Sequence, residues 1–273
     1  MRLELLCSLM VFTSLDMSPA CAQSQAHRVI TGEFQRFDVD NLGNLYAITR
    51  GNQLRKYTPG GDSVGVFNDV VKYGRLRTMD VSNPLRILLF YPDFGTILLL
   101  DRMLKPIDVI DLRRLSMVQV SAVATSYDNQ CWVYDDQEAR LRKLDGQGRV
   151  LLESPDLRML MDEVPHPVFL SDQQGMVSMY DPLRGLYLFD LYGAFQQRIP
   201  LDGCTDIRVA GKVFEGRCDG LLMRYDLKTG RTSNLSVPVS HPYIRQIVFQ
   251  NAGLYVMDKE GILRFARTTD TTY

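Results

Sequence analysis

The 273-residue chain has little of what usually announces chemistry. Its five cysteines are too few for a disulfide-built scaffold, and no CxxC or HExxH spacing is present to hold a metal. No G-x-S-x-G elbow points to a hydrolase, and no G-x-x-x-x-G-K-S/T loop points to a nucleotide. An excess of one charge is also missing. With 31 basic and 32 acidic residues the chain offers no field for a phosphate backbone, so nucleic acid is not an expected partner. Beyond the N-terminus no apolar run approaches the roughly 20 residues a membrane span requires, so no transmembrane segment is expected.

What is present begins with the N-terminus. Arg2 precedes an apolar stretch from Leu5 to Leu15, and Ala20-Cys21-Ala22 follows as a small-x-small cleavage site. Residues 1–22 therefore read as a signal peptide, and residues 23–273 as one exported domain, periplasmic or associated with an outer membrane. Glu4 and Asp16 are atypical of such a leader, which leaves a buried N-terminal helix as one alternative. A lipid anchor at Cys21 is another, although Ser18-Pro19-Ala20 lacks the aliphatic residue a lipobox carries.

A strand, a short turn and a second strand then recur to the end of the chain. The leucines and isoleucine at Leu54, Ile97, Leu141, Leu186, Leu222 and Leu263 mark one strand per copy at intervals of about 42 residues, a period of propeller blades. Some strands alternate, as in Leu54-Arg55-Lys56-Tyr57. Others are apolar throughout, as in Ile87-Leu88-Leu89-Phe90-Tyr91, which suits a sheet buried on both faces. The pattern predicts an all-β, six-bladed β-propeller with blades near 35–70, 76–112, 120–153, 166–202, 205–239 and 243–273. The last copy has room for three strands, so residues 28–31 are expected to complete it and close the ring. Between blades three and four, Ser154 to Pro165 predicts a helix with Leu157, Leu160, Met161 and Val164 on one face.

Candidate site residues are few. Asp38 and Asp40 begin a calcium-like spacing, but no bidentate Glu follows, so Asp40-Asn41-Leu42-Gly43-Asn44 reads as a turn. Asp135 and Asp136 read as a solvated hairpin end, a paired-carboxylate acid and base being the alternative. His166 and His241 each precede a proline in linkers entering blades four and six, and such linkers share one face of a propeller. The two are therefore expected near one mouth, with no third ligand for a metal. Asp93 and Phe94, in the turn from Tyr91 to Gly95, join them as candidate axial-face residues. Trp132 alone makes no repeated cofactor motif and reads as core; no cofactor is expected. Cys204 and Cys218 are equidistant from Gly211, so a hairpin would place them opposite each other. Opposed strand residues lie about 4.5–5.5 Å apart at Cα, within reach of a disulfide. Two reduced thiols are the alternative, and Cys131 is left as a small core residue.

The segments Asp40 to Tyr46, Tyr134-Asp135 and Tyr255-Val256-Met257-Asp258 resemble NHL and YncE-like propeller repeats. Asp80 to Tyr91 is similar to a segment of an uncharacterised group of exported propellers from the Bacteroidota. The resemblance implies a rigid disc in the cell envelope and carries no catalytic residue across. The leading expectation is a non-catalytic binding or scaffold module for a protein partner. The alternatives are a lactonase- or lyase-like enzyme, or a sensor of glycans or small molecules, using the axial pocket. Acids and histidines converging on one mouth would favour the enzyme, and an exposed apolar patch the binder.

Overall fold

The computed structural model describes residues 26–235, 243–251 and 253–266. After β1 (His27–Thr31), the chain forms one four-stranded antiparallel sheet after another. The first comprises β2 (Phe34–Val39), β3 (Leu45–Thr49), β4 (Leu54–Tyr57) and β5 (Ser63–Phe67). A single helical turn, α1 (Val70–Tyr73), leads to β6 (Thr78–Asp80), β7 (Ile87–Tyr91), β8 (Thr96–Leu100) and β9 (Pro106–Asp111). The third sheet is β10 (Val120–Thr125), β11 (Cys131–Asp135), β12 (Arg140–Leu144) and β13 (Val150–Glu153). The fourth is β14 (Phe169–Gln173), β15 (Met176–Asp181), β16 (Gly185–Phe189) and β17 (Phe195–Ile199). The fifth is β18 (Cys204–Ala210), β19 (Val213–Cys218), β20 (Leu221–Asp226) and β21 (Thr232–Leu235). In the sixth, β22 (Gln246–Gln250), β23 (Gly253–Met257) and β24 (Gly261–Ala266) are completed by β1, which pairs with β24.

The first strands meet around one axis. β6 touches β10, β10 touches β14, and the series continues through β18 and β22 back to β2. Arg36 on β2 closes the remaining step by reaching the Arg77 carbonyl before β6 at 3.1 Å. This is a six-bladed β-propeller.

The apolar strands explain why the blades stack. Every residue of β7 is buried. Ile87, Leu89 and Tyr91 pack with Tyr46, Ile48 and Leu54 of blade one, whereas Leu88 and Phe90 pack with Val123, Cys131 and Val133 of blade three. The two-residue period of a strand thus divides its side chains between two interfaces. The same division repeats around the ring, and each of the six blade–blade interfaces holds its own apolar cluster.

The closing strand is held by charge as well as by ladder bonds. Arg28 places Nη1 and Nη2 at 3.1 and 2.9 Å from the two carboxylate oxygens of Asp258, and Nη2 also reaches Glu260 at 3.2 Å. Gly261 has φ +153°, and a Cβ there would lie 2.1 Å from the Ile30 carbonyl oxygen, so only glycine admits β1 at this distance.

In blade five Cys204 lies opposite Cys218 and the two are joined by a disulfide. The turn, however, is the two-residue Gly211-Lys212, not one centred on Gly211, since Ala210 pairs with Val213. A bulge between Thr205 and Arg208 inserts the extra residue that restores the cysteine register, with Asp206 at φ +54°. Closing a loop of about 15 residues is worth roughly 3 kcal/mol in the chain-entropy model. Cys204→Ser is therefore expected to lower the unfolding temperature under oxidising conditions and to change nothing once both proteins are reduced. Equal melting temperatures for the two oxidised proteins would show that the bridge does not contribute.

The helix expected between blades three and four is absent. Only Leu157–Met159 forms a 3-10 turn, capped by the Asp156 carboxylate on the Arg158 N–H. Ser154 cannot start a helix because its hydroxyl is committed elsewhere, accepting from Leu141 N–H and donating to the Pro155 carbonyl. Leu157 is buried between blades while Leu160 is exposed, so the two do not share a face. A run this short is marginal as a helix without a packed face.

Candidate functional site

Acids close backbone turns at both ends of the channel, Asp40 and Asp101 at one and Asp135, Asp181 and Asp258 at the other. First-to-second and third-to-fourth strand turns emerge at one end, which we term the turn face; interblade linkers and the remaining turns emerge at the linker face. On the turn face the carboxylates are spent on local geometry. Asp101 accepts the N–H groups of Met103 and Lys105, Asp145 those of Gln147 and Arg149, and Asp190 those of Tyr192 and Ala194. Asp40 accepts from Leu42 and Asn44 N–H and from the Tyr46 hydroxyl. These are Asx turns in the sense the sequence suggested.

Within the channel, Asp38 is half-buried on β2. Burial pushes its carboxyl up to about 7 against the pull of the Val39 N–H, and the nearby Asp80 adds repulsion. Asp80 itself accepts the Thr125 N–H at 2.7 Å and so ties blade two to blade three.

At the linker face a depression of about 360 Å³ is lined by Arg77, Gln119, Ser121, Asp136, His166 and Val168, among others. Each contributing segment is anchored by its backbone. The Arg77 N–H donates to the Phe90 carbonyl at 3.0 Å, and the Asp136 N–H to the Gln119 carbonyl at 2.8 Å. The His166 N–H donates to Asp181 Oδ2 at 2.8 Å, and the Val168 N–H to the Tyr180 carbonyl at 2.9 Å. The Ser121 hydroxyl donates to Asp136 Oδ1 at 2.9 Å, and His166 Nδ1 stands 3.9 Å from Asp136 Oδ2. Burial raises the Asp136 carboxyl above the usual range, while Ser121 and His166 oppose that shift.

The chemistry open to this cluster follows from those contacts. Ser121 spends its proton on Asp136, so it does not form a serine–histidine nucleophile pair with His166. The imidazole stands at ion-pair distance from a carboxylate, and the Arg77 guanidinium is exposed beside them. Such a set can hold an anion or polarise a carbonyl group.

Of the residues singled out from sequence, His166 lies in this mouth, and His241 lies outside the described residues. Asp93 sits on the turn after β7, where its carboxylate accepts the Arg75 N–H at 3.0 Å. It thereby fixes the linker that carries Arg77. Phe94 is partly exposed on the same turn and does not line the depression. Asp135 is not a solvated hairpin end. It is fully buried, accepts from Gln137 and Glu138 N–H, and receives Arg142 Nη1 at 2.8 Å, a counter-charge supplied by the neighbouring strand. Arg77, Ser121 and Asp136 carried no sequence signal as a group: Ser121 and Asp136 meet through the pairing of β10 with β11, and Arg77 joins them only when blade two stacks on blade three.

No family model and no curated protein matches the chain in sequence. Solved structures do resemble it. A streptogramin B lyase superposes with a TM-score of 0.60 at 12% identity, covering 90% of this chain and 88% of the lyase. An inactive histidine-to-alanine variant of virginiamycin B lyase from Staphylococcus aureus, with quinupristin, gives 0.58 at 11% identity over 90% of this chain and 89% of that one. What they share with it is the propeller fold. At such identities the likeness reaches the architecture and stops short of the site.

Proposed function

We propose that this chain is an exported, non-catalytic propeller that binds a protein partner in the cell envelope through its linker face. The observation that carries this reading is a set of large apolar side chains displayed on anchored segments. Val71, Met159 and Leu183 are 97%, 83% and 82% exposed, and Val118, Val168 and Tyr243 are exposed on the same face. The backbone around them is tied to the blades, so docking costs little ordering entropy. Exposed apolar groups on a rigid support suit a protein interface. The signal-like residues 1–22 and the resemblance to exported propellers support the envelope assignment.

Photocrosslinking in cells tests the reading. A crosslinker at Leu183 or Val118 is expected to capture one protein reproducibly, while one at Val150 on the outer rim captures none. Equal capture from both places, or capture from neither, would overturn it.

A second reading, a lyase-like enzyme at the mouth, is favoured by the convergence of His166, Asp136 and Arg77 and by the lyases that share the fold. Conversion of quinupristin by the purified protein, lost in His166→Ala, would establish it. Because elimination within a ring leaves the mass the same, unchanged chromatographic elution and fragmentation of quinupristin is the result that removes that substrate from consideration.

A further inference from the structure

Positive charge gathers around the linker-face mouth. The Gln246 side-chain amide bonds both the N–H and the C=O of Phe37, at 3.0 and 2.9 Å. Arg245 and Arg36, each one residue earlier on adjoining segments, therefore stand at one level of the channel rim. Arg36 Nη1 in turn reaches the Arg77 carbonyl at 3.1 Å. All three guanidinium residues are exposed, and none forms a salt bridge among the described residues. The acids in their field are already engaged or weakened. Asp136 is bonded to Ser121 and stands near His166, and Asp206 is paired with Arg217 at 2.8 Å. Asp38 lies deeper, where burial disfavours its charge.

The rim beside these cations is apolar. Val118 precedes Gln119, and Val168 lines the depression. Leu183 is locked to His166 through Asp181, whose two oxygens accept the two backbone N–H groups at 2.8 Å each. A bare inorganic anion would use the guanidiniums and leave this rim unused. A polypeptide with carboxylates next to aliphatic side chains would use both, since the guanidinium fork matches a carboxylate.

We infer that the mouth receives an acidic, aliphatic-flanked segment of the protein partner, with Arg36, Arg77 and Arg245 as its carboxylate anchors. The inference rests on the linker-face reading above and adds the chemistry of what binds there.

Fluorescence anisotropy with the full mature protein and a short labelled peptide of alternating glutamate and leucine tests it. Binding is expected to weaken about tenfold or more in Arg77→Gln, and further in the Arg36→Gln/Arg77→Gln double variant. Arg102→Gln, the same charge change on the turn face, is expected to leave binding unchanged. Replacing glutamate by glutamine in the peptide should abolish the signal. Equal weakening in Arg102→Gln would reduce the effect to net charge and overturn the proposal. Competition by inorganic phosphate as effective as that by unlabelled peptide would overturn it in favour of a bare-anion site, and absence of binding would overturn it outright. The crosslinking experiment separates the two readings. If the Arg36→Gln/Arg77→Gln double variant captures the same protein from Leu183 as efficiently as the wild type, the partner stands and the acidic-segment proposal falls.

Discussion

Replacing Trp132 by alanine is expected to cost about 3–5 kcal/mol, the range for deleting a large buried aromatic. Trp132 is wholly buried in the cluster that joins blade three to blade four, among Leu170, Val177 and Met179. Its indole Nε1 donates to Asp172 Oδ2 at 3.0 Å, so one side chain supplies both packing and a polar tie across the interface. Asp172 keeps other donors when the indole is lost: the Ser126 hydroxyl at 2.6 Å and the Gly175 N–H at 3.1 Å. Trp132→Phe should therefore retain most of the packing and cost only about 1–2 kcal/mol, including the lost hydrogen bond. Urea unfolding followed by circular dichroism measures both variants. Equal losses would mean that the bond to Asp172, not the volume of the ring, holds the interface.

The Trp132 interface also shows where sequence reading reached and where it ended. Blade number was legible because each blade repeats the same punctuation: apolar strand, Asx or glycine turn, apolar strand. The ring closure was legible as well, since a last copy with three strands and an orphan apolar stretch at 28–31 leave little else to do. Both are properties of short segments, and period-two alternation reports them directly. The tie from Trp132 to Asp172 was not legible, because residues 40 apart in sequence meet only when two blades stack.

The mouth was hidden partly for the same reason, since His166 and Arg77 join Ser121 and Asp136 from neighbouring blades. Ser121, Asp136 and His166 lie on a strand, a turn and a linker, and none has a local pattern that distinguishes it from a structural residue. Asp135 and Asp136 are adjacent in sequence yet have opposite fates. Alternation along β11 sends the first inward to Arg142 and leaves the second at the rim beside His166. The failed helix after Ser154 has a different origin. Its capping signal was real, but the hydroxyl was claimed by blade three, and beyond Leu157 Met161 packs on the interblade cluster while Met159 and Leu160 stay exposed. Local signals hold where the blade itself satisfies them, and yield where a linker must answer to two blades at once.

That competition makes the closing strand the most informative place to perturb. Arg28→Ala is expected to destabilise the ring by about 2 kcal/mol, less than the cost of breaking a fully buried pair because Arg28 is partly exposed. The buried Asp258 carboxylate would lose its guanidinium and keep only the N–H groups of Glu260 and Gly261. Burial by itself would raise the Asp258 pKa; Arg28 and those two N–H groups overcome it and hold the carboxyl at about 2. A carboxyl depressed in the folded state adds stability that is complete above its unfolded value of 3.8. That contribution fades as the pH falls through about 2, where the folded state also takes up the proton. The difference in stability between wild type and Arg28→Ala should thus be constant from neutral pH down to about 5 and shrink between about 4 and 2. Thermal unfolding of both proteins across that range gives the answer. A difference that persists undiminished at pH 2 would mean that Arg28 acts through packing of its stem on the last blade, and that the ring is closed by the ladder of β1 on β24 without help from the ion pair.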